Sequence, residues 1–367
     1  MKRTNTAKWM EKYSRWQINV QKDGKRRTFT SAIPGRAGQR EANAKADNWL
    51  ENNIQDPNQK IDILLDKYLE TVKSTTSACN YRKEKYHVDS FIRPEIGARR
   101  FHSITEQHFQ DIINKAYSKT DPKTGETVYR SRKTLMNIRA TIMAFLKFCR
   151  RRKATALFLE DLSIPKGARL KGKKILQPKE LAILFRVDTT ILNGKRVFDE
   201  YVYAYRYSVS TGLRPGELRG LKKSDIDGAR VNVQRSINIL DEETQGKNDN
   251  AVRGFTMSRL AQDALDAQLC IYPDGEFVFN IHSLSTFAHR WKTYCKSNGI
   301  EYISPYELRH TFISIVKTLP EGEIKPIVGH SRSMDTFGTY GHALSGEGDR
   351  TARQINEVFE SLIGSEK

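Results

Sequence analysis

The sequence has 367 residues, with 62 Lys and Arg against 43 Asp and Glu, which gives a formal net charge of +19. A hydrophobic fraction of 38% suffices for folded cores in about two or three domains, which excludes a fully disordered chain. No apolar run approaches the roughly 20 residues that span a bilayer, and the basic N-terminus lacks the apolar stretch of a secretory signal. We therefore expect a cytoplasmic protein without a membrane partner.

The positive charge is concentrated in the first half of the chain. Residues 1–60 hold 13 basic and 6 acidic side chains, residues 61–170 hold 22 and 12, and residues 171–367 hold 27 and 25. This asymmetry is typical of nucleic-acid binding, because each Lys or Arg that neutralises a phosphate releases a condensed counterion. A well-solvated basic surface is the first alternative, and an anionic membrane surface is a less favoured one.

Residues 1–58 are predicted to form a small domain in which a short β-sheet precedes one helix. Apolar and polar residues alternate over 15–20, the Asp-Gly pair at 23–24 is a hairpin turn signal, and a second strand follows. Apolar residues at helical spacing then predict a helix over about 40–52. The second strand carries three basic candidates for DNA contact: Lys25, Arg26 and Arg27.

Residues 59–165 are predicted to form a second, all-helical domain. Three apolar stripes at helical spacing, which begin at Ile61, Phe109 and Leu135, are assigned to its core. Basic residues accumulate on the third of these helices and at its end, where we expect a DNA-facing surface rather than a solvated helix end. They are Arg132, Lys133, Arg139, Arg150, Arg151 and Arg152.

Residues 166–176 are rich in Gly and Lys without periodicity and are predicted to be an interdomain linker. A third domain, residues 177–367, opens with Pro178 at a helix start. The four cysteines are far apart and form no Cys-x-x-Cys pair, so we expect neither a disulfide framework nor a zinc site. The chain also lacks a Gly-rich nucleotide loop and the carboxylate spacing of a two-metal nuclease, so neither ATP nor a metal is expected.

Two segments of the third domain contain residue types that suit phosphate binding. Arg214 lies in Thr-Gly-Leu-Arg-Pro-Gly-Glu-Leu, where Gly and Pro fix a turn and Glu217 can orient the guanidinium. The planar donors of a guanidinium match phosphate oxygens, but for this segment alone a surface salt bridge at a helix end is the favoured interpretation. Farther on, Tyr306 and Arg309 share one face of a predicted helix.

The remaining candidates are ordinary residues when taken singly. Two strands, about 229–239 and 252–257, are predicted to flank a polar loop that contains Lys247. Gly329-His330 closes a helical segment, and Tyr340 follows ten residues after His330. A loop lysine is normally just solvated, and one tyrosine among 15 has no special status.

Taken in order, six residues resemble the catalytic set of the tyrosine recombinases, the integrases of phages and conjugative elements. They are Arg214, Lys247, Tyr306, Arg309, His330 and Tyr340. The family pattern has an arginine in Thr-Gly-Leu-Arg-x-x-Glu-Leu, a hairpin lysine, His-x-x-Arg, Gly-His and then the nucleophilic tyrosine. Tyr306 departs from it, because the family usually has histidine there, and a phenol can donate a hydrogen bond to phosphate but is a poor proton acceptor at neutral pH.

The resemblance implies a multidomain α+β fold. Residues 1–58 look like an arm-site DNA-binding domain with a β-sheet and a helix, and residues 59–165 like a helical, SAM-like core-binding domain. Residues 177–367 look like a mainly α catalytic domain with a small antiparallel sheet. At the C-terminus, an apolar stripe over 350–363 is expected to form a helix that packs on a neighbour in trans or on its own chain in cis.

The resemblance also implies the role of each candidate. Tyr340 would attack DNA to form a 3′-phosphotyrosyl intermediate, Arg214 and Arg309 would bind phosphate oxygens, and Lys247 would protonate the leaving oxygen. His330 and Tyr306 would hydrogen-bond the phosphate. Glu217 and His310 are expected to support these groups.

The expected function is integration and excision of a prophage or conjugative element in a bacterial host. The implied partners are double-stranded DNA at core and arm attachment sites, three further copies of the chain in a synaptic tetramer, an excisionase and a host DNA-bending protein. One alternative is a type IB topoisomerase-like enzyme that relaxes DNA of any sequence as a monomer. Another is a non-catalytic DNA-binding regulator that uses only the basic first 170 residues.

Overall fold

The computed structural model describes residues 4–22, 24–51, 59–120, 125–170, 172–245, 252–329 and 346–364. The chain divides between residues 171 and 172 into two compact units. The segment predicted as a linker, 166–176, is shared between them. Ala168 is buried in the core of the first unit, and Leu176 is buried in the core of the second.

The first unit begins with a three-stranded antiparallel sheet and one helix packed on it. These elements are β1 (Lys8–Met10), β2 (Arg15–Lys22), β3 (Lys25–Ser31) and α1 (Gly35–Glu51), with β2 in the centre of the sheet. Ala42 and Ala46 are fully buried, so the helix can lie close to Ile18 and Val20 on the sheet. The predicted sheet and helix are confirmed, but α1 begins earlier than expected and β1 was not predicted.

The remainder of the first unit is a bundle of helices with its own core. Its elements are α2 (Ile61–Thr75), α3 (Ala78–His87), the π-helical segment Val88–Ile92, α4 (Arg93–Ile96), α5 (Glu106–Tyr117), β4 (Ser118–Thr120), β5 (Thr127–Tyr129) and α6 (Arg132–Arg151). The three predicted apolar stripes are all buried in this core. The predicted helical core is confirmed, and the bundle also carries a short antiparallel hairpin, β4–β5, that the sequence did not indicate.

The second unit is mainly helical, with one three-stranded antiparallel sheet and two short antiparallel hairpins. Its helices are α7 (Pro178–Arg186), α8 (Val202–Thr211), α9 (Pro215–Gly220), α10 (Arg259–Ile271), α11 (Leu284–Asn298), α12 (Pro305–Ile315), α13 (Glu321–Val328) and α14 (Glu347–Gly364). Its strands are β6 (Thr189–Leu192), β7 (Lys195–Phe198), β8 (Ile226–Asp227), β9 (Arg230–Val233), β10 (Ser236–Ile237), β11 (Glu243–Thr244) and β12 (Arg253–Thr256). The helix start at Pro178 is as predicted.

Helix α8 runs through the core of the second unit. Tyr205 on α8 packs against Phe287, Trp291 and Tyr294 of α11, with ring centroids 4.8–5.5 Å apart. The C-terminal helix α14 packs on its own chain, where Phe359 is fully buried. Of the two expected arrangements for this helix, the structure has the cis one.

The strand predicted over 229–239 is interrupted. Its first part, β9, pairs with β8 and β12, whereas β10 pairs with β11 in a separate hairpin. Arg235 lies at the break and turns inward to bind the buried carboxylate of Asp225 and the carbonyl of Gly220. This buried ion pair favours a bend over a continuous ladder, and the residue pattern alone does not reveal it.

None of the described helices is long and apolar enough to cross a bilayer.

Asp199 precedes α8, and its buried carboxylate receives fewer hydrogen bonds than its two oxygens can accept. Its Oδ1 accepts a hydrogen bond from the Tyr201 backbone N–H at 3.0 Å, and Oδ2 has no donor among the described residues. Arg290 is the nearest cation, with Nη2 3.9 Å from Oδ1. Burial therefore raises the pKa of Asp199 to about 6, despite the Tyr201 hydrogen bond and the Arg290 charge.

We expect Asp199→Asn to stabilise the second unit at pH 7 but not at pH 4. The folded carboxyl keeps its proton up to about pH 6, whereas the unfolded one loses it near pH 4, so the wild-type free energy of unfolding falls as pH rises between these values. Asparagine does not ionise, so the gain at pH 7 is up to about 3 kcal/mol. Urea unfolding at both pH values measures it, with exposed Asp227→Asn as the control. Equal stability of Asp199→Asn and wild type at pH 7 would contradict the prediction.

Candidate active site

Arg214 is positioned by the sharp turn between α8 and α9. Helix α8 ends at Gly212, whose φ of 67° lies in the left-handed region, and a Cβ there would meet the Phe312 ring at 2.5 Å. Pro215 then starts α9 at once. Glycine and proline thus fix the backbone on both sides of Arg214, as the sequence predicts.

Glu217 holds Arg214 through both its backbone and its side chain. The Arg214 backbone N–H donates to Glu217 Oε2 at 3.0 Å, and Nη1 donates to Oε1 at 2.6 Å. The Arg214 side chain is 30% exposed, whereas that of Glu217 is 4% exposed. The orienting role predicted for Glu217 therefore has a geometric basis, and it is not a surface salt bridge.

Arg309 enters the same region from α12. This helix starts with Pro305, and the Ser304 backbone N–H donates to Glu307 at 2.7 Å, much as Arg214 does to Glu217. Arg309 is 1% exposed, and its Nη1 donates to the Gly212 carbonyl at 2.8 Å. Burial, and then the charge of Arg214, lower the pKa of Arg309 to about 10, so it is protonated at neutral pH.

A third guanidinium, that of Arg253 at the start of β12, completes this group. Its Nη1 and Nη2 donate to the two oxygens of Glu217 at 3.1 and 2.9 Å. Burial tends to raise the pKa of Glu217, but the hydrogen bonds from Arg253 and then from Arg214 outweigh it, so this pKa is lowered. We call Arg214, Arg253 and Arg309 the arginine cluster.

The arginine cluster also binds the end of α13. Arg253 Nε donates to the carbonyl of Ile327 at 2.7 Å, Arg309 Nη2 to that of Val328 at 2.6 Å, and Arg214 Nη2 to that of Gly329 at 3.3 Å. These carbonyls lie at the helix C-terminus, where no intrahelical donor remains and the helix dipole is negative. Three successive carbonyls immediately before position 330 therefore each receive a cation.

Tyr306 lies on the same helix as Arg309 but at the surface. Its side chain is 43% exposed, and its ring makes an edge contact with His310 at a centroid distance of 5.4 Å. Burial, and then the charge of Lys173, lower the pKa of His310. A neutral imidazole beside the phenol can support it sterically and through its ring nitrogens.

Three predicted site residues lie outside the described part of the chain: Lys247, His330 and Tyr340. Their assignments stay predictions. Within the described ranges, no group of three or more His, Cys, Asp or Glu side chains is arranged to hold a metal ion.

Arg253 is the site residue that the sequence did not indicate. An arginine at the start of a short strand has no local signal, because its partners Glu217 and Ile327 are remote in the chain. Its only hint is position, six residues after Lys247 in the segment that follows the predicted loop.

The residues predicted to contact DNA differ in accessibility. The exposed members are Arg26, Arg132, Lys133, Arg151 and Arg152. Arg139 and Arg150 are instead half-buried, and their Nη1 atoms donate to the carbonyls of Leu162 and Leu157, both at 3.2 Å. Part of the predicted DNA-facing charge is therefore already bound to the protein itself.

Strand β3 carries the other predicted DNA ligands. Lys25 opens β3, and Arg26 and Arg27 follow it opposite β2. The guanidinium of Arg27 is half-buried and lies 5.9 Å from the centre of the Phe29 ring. Of these residues, Arg26 is described as exposed.

The end of α6 forms a basic pocket with α2. A cavity of about 330 Å³ is lined by Gln59, Leu64, Lys67, Arg151, Arg152, Lys153 and Ala154. We call its four basic members, Lys67, Arg151, Arg152 and Lys153, the α6-end cluster. Cations are favourable at a helix C-terminus, and four of them around one cavity suit a phosphate group. Lys67 and Lys153 were not among the predicted DNA ligands.

The chain is similar in sequence to known integrases and recombinases. Residues 196–347 match the sequence model of the phage integrase family, a range that contains Arg214, Arg253 and Arg309. The chain is 22% identical to a "Tyrosine recombinase XerC-like" protein of Caldanaerobacter subterraneus subsp. tengcongensis, over 98% of this chain and 99% of that one. It is 27% identical to the prophage integrase IntR of Escherichia coli, over 41% of this chain and 45% of that one.

Solved structures of integrases share the fold. The Tn1549 transposon integrase in complex with transposon right end DNA covers 80% of this chain and 98% of its own, with a TM-score of 0.56 and 18% identity. A lambda integrase tetramer bound to a Holliday junction covers 90% of this chain and 96% of its own, with a TM-score of 0.57 and 14% identity. Sequence and fold lead to one conclusion: residues 196–347 match the phage integrase family, and the chain as a whole is similar in sequence to tyrosine recombinases and in fold to integrases.

Proposed function

We propose that this protein is a site-specific integrase that inserts a prophage or conjugative element into DNA and excises it. The observation that carries the proposal is the convergence of Arg214 and Arg309, from two different helices, at the end of α13. Tyr340, the candidate nucleophile, follows that end by eleven residues in the sequence. Fixed cations near a tyrosine are what phosphodiester cleavage without a metal requires.

The arginine cluster supplies the charge for the reaction. Cleavage passes through a phosphorane with additional negative charge, and donors that are already in place stabilise it without reorganisation. Arg214 retains solvent exposure and is the cation best placed to bind a non-bridging oxygen. Arg309 lies in the same group, where its Nη1 and Nη2 each donate to a backbone carbonyl of the described residues, and its guanidinium has five N–H donors in all.

The covalent step follows from the proposed roles. The Tyr340 oxygen attacks the phosphorus, its proton passes to His330, and the bond to the 5′ oxygen breaks as Lys247 protonates that oxygen. The product is a 3′-phosphotyrosyl enzyme and a free 5′ hydroxyl. A 5′ hydroxyl from the partner duplex then reverses each transfer, so the strands are exchanged without ATP.

We propose that the first unit is the main DNA-binding region. Its sheet and its helical bundle have separate cores, which is consistent with arm-site and core-site binding by residues 1–58 and 59–165. We propose that four copies assemble on double-stranded DNA in the cytoplasm of a bacterial host, assisted by an excisionase and a host DNA-bending protein. The lambda integrase tetramer on a Holliday junction is the precedent for that assembly.

Tyr340→Phe tests the nucleophile, because it removes only the attacking oxygen. The substrate is a nicked duplex that traps the covalent intermediate, with the sequence of the direct repeats that flank the mobile element. We expect wild-type protein to form a covalent adduct with this duplex and the variant to form none. A shifted band on a denaturing gel measures the adduct. Tyr129→Phe, at an exposed tyrosine of the first unit, is the control and should behave as wild type.

Other results of the same assays would favour the alternatives. An adduct with Tyr340→Phe would contradict the nucleophile assignment. Relaxation of a supercoiled plasmid that lacks the repeats would favour the topoisomerase-like enzyme. Unaltered function of Arg214→Ala would favour a regulator without catalysis, since the most exposed member of the arginine cluster would then be dispensable.

Tyr306→His tests whether this position takes part in proton transfer. We expect the variant to gain a second step in its rate of cleavage between about pH 6 and 7, where the new imidazole titrates, in addition to the step from His330 that it shares with wild type. Single-turnover cleavage across pH measures it. Tyr302→His is the matched control, because Tyr302 is 42% exposed and Tyr306 is 43% exposed. Superimposable profiles for wild type and Tyr306→His would exclude a proton-transfer role.

Arg151→Gln tests DNA binding by the α6-end cluster. Loss of one phosphate contact should lower the slope of log affinity against log salt by about 0.9 and weaken binding to all duplex sequences alike. Fluorescence anisotropy with a labelled duplex over a range of salt concentrations measures both. The control is Lys115→Gln, since Lys115 Nζ is paired with Glu95 at 2.5 Å and should contribute less. An unchanged slope for Arg151→Gln would place the DNA elsewhere.

A further inference from the structure

Arg253 connects three parts of the candidate site through one side chain that is 6% exposed. It opens β12, whose pairing with β9 places Arg253 opposite Val233. From there its guanidinium reaches both oxygens of Glu217 and the carbonyl of Ile327. It therefore links the strand that follows the Lys247 segment, the turn that carries Arg214, and the end of α13.

The charge of Arg253 determines whether the Arg214 guanidinium is free to bind a substrate phosphate or is held by Glu217. Three guanidinium groups and one carboxylate give the described site a net charge of two positive units. An unpaired buried carboxylate is strongly disfavoured. Without Arg253, the negative charge of Glu217 would therefore be neutralised by Arg214 alone. The candidate site would lose one positive charge that helps to balance the phosphate. Arg214 would also be bound more tightly to Glu217.

The same guanidinium fixes the position of the chain before His330. The carbonyl of Ile327 lies in the last turn of α13, where helices run out of intrahelical donors, and Arg253 Nε donates to it at 2.7 Å. At this helix end, Arg309 and Arg214 bind the next two carbonyls, those of Val328 and Gly329. Loss of Arg253 would free the first of three anchors, and displacement of a reacting group by about 1 Å costs about 100-fold in rate.

We propose that Arg253 is a positioning residue of the recombination site, which keeps Arg214 available by neutralising Glu217 and anchors the end of α13 before His330. This proposal rests on the proposed function. Arg253 acts through Glu217 and the backbone and does not itself touch DNA. Its loss should therefore slow the covalent step without weakening DNA binding.

The test compares Arg253→Gln with wild type in single-turnover cleavage of the nicked duplex and in affinity for the same duplex. We expect the cleavage rate to fall about 100-fold while the dissociation constant changes less than about threefold. Arg253→Lys keeps the charge but loses the planar pair of donors, so we expect a loss of about tenfold. Thermal unfolding of each variant shows which of them are folded.

Arg206→Gln is the matched control for the loss of a buried arginine. Arg206 lies on α8 and binds the carbonyl of Leu184 at 2.8 Å and the carboxylate of Asp188, neither of which is a residue of the candidate site. We expect this variant to lose thermal stability yet to cleave within about threefold of wild type. Cleavage lost equally in Arg206→Gln and Arg253→Gln would reduce the role of Arg253 to general stability and overturn the proposal.

A double variant separates charge compensation from a purely structural effect. Glu217→Gln with Arg253→Gln restores the net charge of two positive units, so we expect it to lose less activity than the product of the two single losses. Fully multiplicative losses, or wild-type cleavage by Arg253→Gln, would overturn the proposal. Wild-type protein that forms no adduct would overturn the proposed function as well, which distinguishes that failure from one confined to Arg253.

Discussion

A buried carboxylate needs positive charge within hydrogen-bond distance, because an unpaired ion in a protein interior is more costly than any single lost contact. Glu217 imposes this requirement on the second unit. Arg214 and Arg253 meet it, and both arginines also donate to backbone carbonyls at the end of α13. One acidic side chain thereby sets the mutual arrangement of α9, β12 and α13, on which the candidate site depends.

The end of α13 imposes a second requirement that the same cations meet. The last carbonyls of a helix lack intrahelical donors, and here those of Ile327, Val328 and Gly329 each receive a guanidinium. Two of these groups, Arg214 and Arg309, are therefore both anchors of the fold and the proposed phosphate ligands. Because Arg309 remains protonated despite burial, this positive field exists before any substrate arrives, which is the condition for electrostatic stabilisation of a transition state.

Local patterns in the sequence predicted what depends on near neighbours. The turn at Arg214 and its partner Glu217 lie three residues apart, and the apolar stripes of the helical bundle are periodic, so both could be predicted. Arg253 could not, because its partners are brought to it only by folding. The hairpin β4–β5 and the break after β9 were missed for a related reason, since short strands carry little periodicity and the inward turn of Arg235 depends on Asp225. Lys247, His330 and Tyr340 rest on the resemblance alone.

The distribution of charge acquires a different meaning once the contacts are known. The first 170 residues hold most of the excess positive charge, yet Arg139 and Arg150 direct part of theirs to backbone carbonyls. Net charge therefore overestimates the surface that can meet DNA, and the α6-end cluster, in which Arg151, Arg152 and Lys153 are exposed, is a better measure of it. In the second unit the reverse holds. Its charge is nearly balanced, but Glu217 and the helix end collect three arginines at one place, so a weakly charged domain presents a strongly positive site.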